Sequence, residues 1–434
     1  MLPGARVAAA IAVLSDWSEH HRPLKTCLAD WGKAARYAGA KDRAFVSGLA
    51  LDALRRQASY AAAMGSPAPR ALALAALRWS WGWSVEAIGA AFAAAAHGPD
   101  ALTDGEAAAL AADVPPTALE APAWAEAALA ASFGPMMAAE LAALATRAPV
   151  DLRVNLLKTT PEKALAQVAA IGGEAHPWLT TSVRVPAPAS PERGSGVEAI
   201  PAYAKGWVEV QDLGSQIAAL AAGDIDGAQV LDFCAGGGGK TLALAAMMGN
   251  RGQLYAYDKD ARRLMPAWAR LQRAGVRNAQ MRAPAGGAGI AVIEDLAGKM
   301  DVVFVDAPCT GAGTWRRKPD TKWRLTPEQL ERRVAEQDAA LAQAARFVRE
   351  GGALIYVVCS IFAEEGSARI AHFLREHPAF AAARAIDAIL ARPEVTEAGR
   401  QALLALADAD GNVLLSPLRA QSDGFFVARL ERRS

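Results

Sequence analysis

From Gly223 onward the sequence alternates short apolar, β-prone runs with longer helix-like segments. They run Gln229 to Phe233, Thr241 to Met248, Gln253 to Tyr257, Ala261 to Ala274, Val302 to Val305, Pro327 to Arg349, Ala353 to Val358 and Glu364 to Glu376. Few architectures accept that rhythm. Neighbouring parallel strands need a crossover, and regular βα alternation predicts an α/β fold, a doubly wound (Rossmann-like) parallel sheet with helices on both faces. Ligands of such a sheet belong at the carboxyl ends of its strands. There fall a glycine-rich turn, LDFCAGGGGKT (Leu231 to Thr241), together with Asp258, Asp306, Cys309 and Cys359.

The 434 residues are too many for that sheet alone and suggest two or three domains. Residues 1–140 read as an all-helical domain, with breaks at Gly65-Ser66-Pro67, His97-Gly98-Pro99 and Val114-Pro115-Pro116. Texture changes at Pro149. Val150 to Asn155 alternates as a strand, Pro161 to Ala170 opens a helix with Thr160 as N-cap, and Pro186 to Gly196 is a Pro/Ser/Gly loop. Residues 141–222 are therefore expected to form a small α+β module, and 223–434 the sheet domain.

A net charge of +1 argues against a general nucleic-acid coat but not against a local patch. From Thr314 to Arg333 seven Lys or Arg stand against three acids, directly after the Cys309 loop, which favours phosphate contacts over a merely solvated run. The four cysteines form no CxxC pair and the six histidines lack metal spacing, so neither zinc nor a disulfide framework is expected. No uninterrupted apolar run of about 18 residues is seen. The start lacks a cleavage site and continues as an amphipathic helix, so a cytoplasmic, membrane-free protein, monomeric, is expected.

The glycines allow tight turning and close backbone approach, and the following helix points N–H groups at a ligand. Asp258, at the end of the next strand, suits ribose hydroxyls, which fits NAD and S-adenosylmethionine equally. The DAPC segment breaks the tie. Hydride transfer has no use for it, whereas C5 of a pyrimidine takes a methyl group only after a thiolate has added to C6. A second acid/base group near the first thiol then assists expulsion of the cysteine. One thiol at a strand end is more often an inert core residue than a nucleophile.

DAPCTGAG (Asp306 to Gly313), RRKPDTKW (Arg316 to Trp323), YVVCSIFAEE (Tyr356 to Glu365) and DGFFVARL (Asp423 to Leu430) resemble the RsmB/Nop/Sun family of RNA cytosine-C5 methyltransferases. VNLLKTT (Val154 to Thr160) and VQDLGSQ (Val210 to Gln216) resemble its upstream RNA-facing module. KDRAFVSGLALDALRR (Lys41 to Arg56) resembles, more loosely, the NusB-like domain of bacterial members. The resemblance implies a class I S-adenosylmethionine-dependent fold, with Cys359 as nucleophile and Cys309 assisting product release. It implies that Asp306 lies between cofactor and base, that Lys240 reaches into the site, and that Cys234, Ala235, Gly236, Gly237, Gly238, Gly239, Lys240, Asp258 and Asp306 contact the cofactor. The expected substrate is RNA, ribosomal before transfer RNA. Arg316, Arg317, Lys318, Lys322 and Trp323 are expected to grip it, and Arg153, Asn155 and Lys158 to extend the track.

The chain departs from the family at three points. Gly236-Gly237 replaces Ala-Pro, implying a looser cofactor loop. Ala283 and Pro284 stand where the third strand normally ends in an acid, and Val358 replaces a Thr before the nucleophile. The rival reading is an RNA-binding assembly factor that retains the fold without the activity.

Overall fold

A computed structural model of the chain describes residues 1–113, 117–187, 196–284 and 289–434. The Val114-Pro115-Pro116 break, most of the Pro186 to Gly196 loop and the end of the Gln280 to Gly287 segment lie outside the described residues. The chain divides into two compact units, one of Met1–Arg147 with Thr314–Leu325, the other of Ala148–Ala187, Ser195–Gly313 and Thr326–Ser434.

The first unit is helical, as its composition predicts. Helices Pro3–His20, Ala40–Arg55 and Pro69–Ala75 enclose a core of Val7, Leu14, Phe45, Leu49, Leu72 and Leu77. Into the same core packs Trp323, from a segment remote in sequence. Ala123–Leu144 is long and apolar enough to cross a membrane by length and composition, which the sequence reading did not foresee. It is not one continuous α-helix. Gly134, at φ 52°, and a 3-10 turn at Gly134–Met136 separate Glu126–Phe133 from Met137–Leu144, and Glu140 is fully buried.

The second unit contains two sheets. The smaller is antiparallel, in the order β2 (Glu174–Ala175), β3 (Ser182–Val185), β1 (Val150–Val154), β4 (Val208–Val210). Helix Pro161–Val168, N-capped by the Thr160 hydroxyl, buries Ala164 and Val168 against Leu152, Val183 and Val208. The boundary expected at 222 does not divide compact units, because three cross-links tie the small sheet to the large one's helices. Asp151 accepts the Leu213 N–H at 3.0 Å, Asn155 donates to the Ala274 carbonyl at 2.8 Å, and Glu209 pairs with Arg270 and Arg273 at 2.9 and 2.6 Å.

The large sheet runs β10 (Phe380–Ala383), β12 (Phe425–Arg432), β9 (Val348–Val358), β8 (Met300–Asp306), β5 (Gln229–Asp232), β6 (Gln253–Tyr257), β7 (Ala279–Arg282), with β11 (Val413–Leu415) on β12. The five strands β5 to β9 are mutually parallel; β10, β11 and β12 join antiparallel. Successive residues point to opposite faces. Val302, Phe304, Ile355 and Val357 enter one core, while Val303, Val305, Leu354 and Tyr356 enter the other. Both faces are covered, so these strands read as continuous apolar runs. From β5 the chain passes to β6 on one side and later returns as β8 on the other. That switch point opens a crevice between the loops after β5 and β8.

Candidate active site

The crevice is a cleft of about 690 Å³ lined by Gln211, Cys234, Ala235, Gly236, Gly237, Gly239, Lys240, Arg263, Arg270, Asp306, Cys309 and Cys359. The glycine turn after β5 brings two positive-φ positions, Gly236 at 50° and Gly238 at 79°. At Gly238 a Cβ would lie 2.8 Å from that of Ala267, so the backbone hugs the helix Ala261–Ala274 as only glycine permits.

The turn is pinned rather than loose, which corrects the expectation raised by Gly236-Gly237. Asp258 accepts the Gly236 N–H at 3.1 Å, Ala235 N–H donates to the Tyr257 carbonyl at 2.9 Å, and the Thr241 hydroxyl donates to Asp232 at 2.6 Å. Arg270 grips the Gly237 carbonyl while Glu209 holds its guanidinium, and Gln211 reaches the Gly239 carbonyl at 3.4 Å. Side chains thus supply the rigidity that a proline would give. Burial raises Asp232 to about 7, partly offset by the Thr241 hydroxyl.

Asp306 ends β8 and meets Lys240 at 2.7 Å. Burial works against the Lys240 charge, but the Asp306 carboxylate outweighs it and lifts the ammonium above its ordinary value. The Phe425 ring lies 5.1 Å from the same ammonium. The sulfurs of Cys309 and Cys359 are 3.3 Å apart, although fifty positions separate them in sequence. Parallel pairing of β8 with β9 brings them together: Asp306 stands opposite Val357, and each strand then turns into its cysteine loop. The Cys309 thiol is pushed well up, first by its hydrogen bond to Cys359, then by burial. Burial also raises Cys234.

Residues that the sequence reading gave no role hold the Cys309 loop. The fully buried Glu365 accepts the Thr310 N–H at 2.8 Å and its hydroxyl at 2.5 Å. Gln337 donates to Glu365 at 2.8 Å and to the Pro308 carbonyl at 2.9 Å. Gly313 and Gly424 cross so closely that a Cβ on Gly313 would meet the Gly424 carbonyl at 2.0 Å. Glu365 was visible within YVVCSIFAEE. Gln337, Arg270 and Glu209 had no local signal, since their partners come from other elements.

Beside the cleft a smaller pocket of about 130 Å³ is walled by Phe233, Tyr257, Pro308, Ala339 and Ala340, with Asp258 at its polar edge. An apolar slot with the Asp258 and Glu336 carboxylates at its rim suits an adenosine, and the adjoining glycine turn and Asp306 suit an amino-acid tail. These residues fit S-adenosylmethionine. Asp258 also binds the Asp260 N–H and pairs with Arg263 at 3.2 Å, so its carboxylate is already oriented by its own loop. No side chain is assigned for the missing third-strand acid: Ala283 and Pro284 are described, the residues after them are not.

The expected RNA contacts fare differently. Arg153 is buried, donating to Gln211 at 2.7 Å, with burial lowering it to about 10. Asn155 is buried, donating to the Gly206 and Ala274 carbonyls. Neither side chain faces an RNA. The Lys158 ammonium is exposed, capping the carbonyls of Lys205 and Arg273 at 3.0 and 2.8 Å. In the helical unit Lys322 is 1% exposed and donates to the Arg55 carbonyl at 3.1 Å, and the Trp323 indole N–H donates to Leu54 at 2.7 Å. Trp315 and Arg316 are buried as well. This corrects the reading of Lys322, Trp323 and Arg316 as an RNA grip, since much of that segment serves packing. Lys318 is exposed and Arg317 half-buried.

Residues 219–431 match the family model described as 16S rRNA methyltransferase RsmB/F. This part of the chain is similar to the RsmB/F family. The probable ribosomal RNA small subunit methyltransferase B of Synechocystis sp. is 30% identical over 287 residues, 65% of this chain and 60% of the relative. Ribosomal RNA small subunit methyltransferase B of Klebsiella pneumoniae is 32% identical over 292 residues, 66% of this chain and 60% of the relative. The match thus spans about 60% of the length of these relatives. Among solved structures, PH0851 aligns with 100% of this chain and 99% of its own at TM-score 0.71 and 22% identity. NSun6 from Pyrococcus horikoshii aligns with 72% and 98% at TM-score 0.59 and 19% identity. At such identities the likeness is one of fold. The fold is that of class I S-adenosylmethionine-dependent methyltransferases, and S-adenosylmethionine is the cofactor of an RsmB/F domain.

Proposed function

We propose that this chain transfers a methyl group to C5 of a cytidine in RNA, with small-subunit ribosomal RNA as the substrate class, through a covalent Cys359–C6 adduct. The observation that carries the reading is the 3.3 Å approach of the two sulfurs inside the cleft that also holds the glycine turn. The names of the relatives support the substrate class.

S-adenosylmethionine, when bound, supplies the electrophilic methyl. The chain's own residues prepare the acceptor. Cys359 adds to C6 of the cytosine and so places carbanion character at C5. Asp306, held by Lys240, accepts a hydrogen bond from the N4 amino group and keeps the base edge oriented. Once the C5 proton has passed to solvent water in the open cleft, the electron pair of that C–H bond forms the C5–C6 double bond and Cys359 leaves C6 as a thiolate. The protonated Cys309 lies in hydrogen-bond contact with that sulfur, and its S–H stabilises the departing thiolate. Glu365 and Gln337 keep Cys309 in place by fixing Pro308 and Thr310. Reaching a stacked base requires extruding it into the cleft or taking it from an exposed loop. The helical unit is read as NusB-like, and the protein as cytoplasmic and monomeric.

The test uses Cys309→Ser and Cys359→Ser variants with small-subunit ribosomal RNA and S-adenosylmethionine. Cys309→Ser accumulates an enzyme–RNA adduct that survives a denaturing gel, while Cys359→Ser forms neither adduct nor 5-methylcytosine. The opposite pattern would reverse the two roles. Wild-type protein that binds RNA but neither S-adenosylmethionine at millimolar concentration nor forms product would make the chain an assembly factor.

A further inference from the structure

The helix Ala261–Ala274 has its apolar face buried through Leu264, Ala267, Leu271 and Ala274, yet its solvent face carries two large apolar side chains. Met265 is 70% exposed and Trp268 60% exposed. Trp268 is not among the residues this helix buries, so its ring is open to a ligand. Next to it lies an open basin of about 600 Å³, bordered by Ala269, Gln272 and Arg273 of the helix and by Lys158, Lys205 and Trp207 of the small module. Trp268 does not line the basin itself, but it adjoins Ala269 in sequence and stands one helical turn before Gln272, both of which do.

Three basic side chains and no carboxylate line the basin. The Lys205 ammonium sits 5.0 Å from the Trp207 ring, and the Lys158 ammonium is held by main-chain carbonyls rather than by an acid. Among the described residues neither lysine is paired with a carboxylate, so each is open to an incoming anion. The remaining edge of the same helix faces the catalytic cleft through Arg263 and Arg270. One helix therefore borders both the cleft and an aromatic, cationic basin. Alternating phosphates and π-faces complement such a surface, and that is the chemistry of single-stranded nucleic acid.

We propose that this basin binds the single-stranded RNA that flanks the target nucleotide, with Trp268 and Trp207 as stacking platforms and Lys158 and Lys205 as phosphate contacts. The proposal rests on the reading of the chain as an RNA methyltransferase and adds a binding site to it. It also relocates the aromatic-cationic surface that the sequence suggested at Arg316 to Arg324 with Trp315 and Trp323, where both rings prove to be packed.

The test measures binding of a fluorescein-labelled, unstructured oligoribonucleotide of mixed sequence by anisotropy across a salt series. Trp268→Ala is expected to weaken binding about tenfold with the salt slope unchanged. Lys205→Ala should weaken binding and flatten the slope of log affinity against log salt by about 0.7. Both substitutions lie on the surface, and S-adenosylmethionine affinity together with an unchanged thermal melt reports the fold. Oligoribonucleotide affinity unchanged within twofold in both variants would overturn the proposal and leave the face to a protein partner. Loss of oligoribonucleotide binding in the variants would uphold the site even if wild-type protein formed no Cys359 adduct, so the two readings fail separately.

Discussion

Replacing Arg270 by Ala tests whether side chains have taken over the rigidity of the cofactor turn. In the native protein the guanidinium donates to Glu209 at 3.1 and 2.9 Å and to the Gly237 carbonyl. Arg270→Ala does not strand Glu209, because Arg273 still reaches its other oxygen at 2.6 Å. The fold therefore avoids the cost of an unpaired buried charge. What is lost is one charge-assisted hydrogen bond to the turn, about 1.5–3 kcal/mol. Gly237, with no side chain of its own, then samples conformations that binding must reverse, and the loss falls on cofactor affinity. At 1.4 kcal/mol per decade, S-adenosylmethionine should bind about tenfold or more weakly. Arg270→Lys should recover only part of this, since an ammonium cannot bridge both partners in a fixed fork. Isothermal titration on the apo protein gives the number, with the thermal melt as control. An affinity within twofold of wild type, at unchanged melting temperature, would refute the clamp and return Gly236-Gly237 to the status of a loose loop.

Other consequences are simpler. Asp306→Asn should cost about 2 kcal/mol more than Lys240→Met in chemical denaturation, because it strands a buried ammonium whereas the carboxylate left by Lys240→Met is one-third exposed. Gly313→Ala should destabilise the protein by about 2 kcal/mol or more, since its Cβ collides with the Gly424 backbone rather than with a movable side chain; a neutral melt would contradict the close crossing. Lys322 is lowered from 10.5 to about 7 by burial. The unfolded chain therefore takes up a proton as pH falls through 10.5 while the folded chain does not, and stability declines from there down to about 7 and levels off below. Lys322→Met should abolish that slope in melts recorded between pH 7 and 10.

The sequence carried the sheet because its signals are local. Apolar runs such as Val302 to Val305 and Ala353 to Val358 are buried on both faces, and the glycines and Asp258 mark strand ends whatever the strands pair with. β12 was visible only as the motif DGFFVARL, since its place beside β9 depends on a partner about seventy positions upstream. The basic segment failed for a related reason. Seven cations in twenty residues look solvated in one dimension, and nothing local says that Lys322 and Trp323 meet the carbonyls of Arg55 and Leu54.

By itself, then, the sequence determined the class of fold, the cofactor turn and the two cysteine segments at strand ends, because each rests on backbone geometry and residue type within a short segment. Only the tertiary structure decided that the sulfurs touch, that Arg270 and Glu209 brace the turn, and which cations face solvent. Those properties depend on distance and burial, and both are set by which strands pair and which helices cover them.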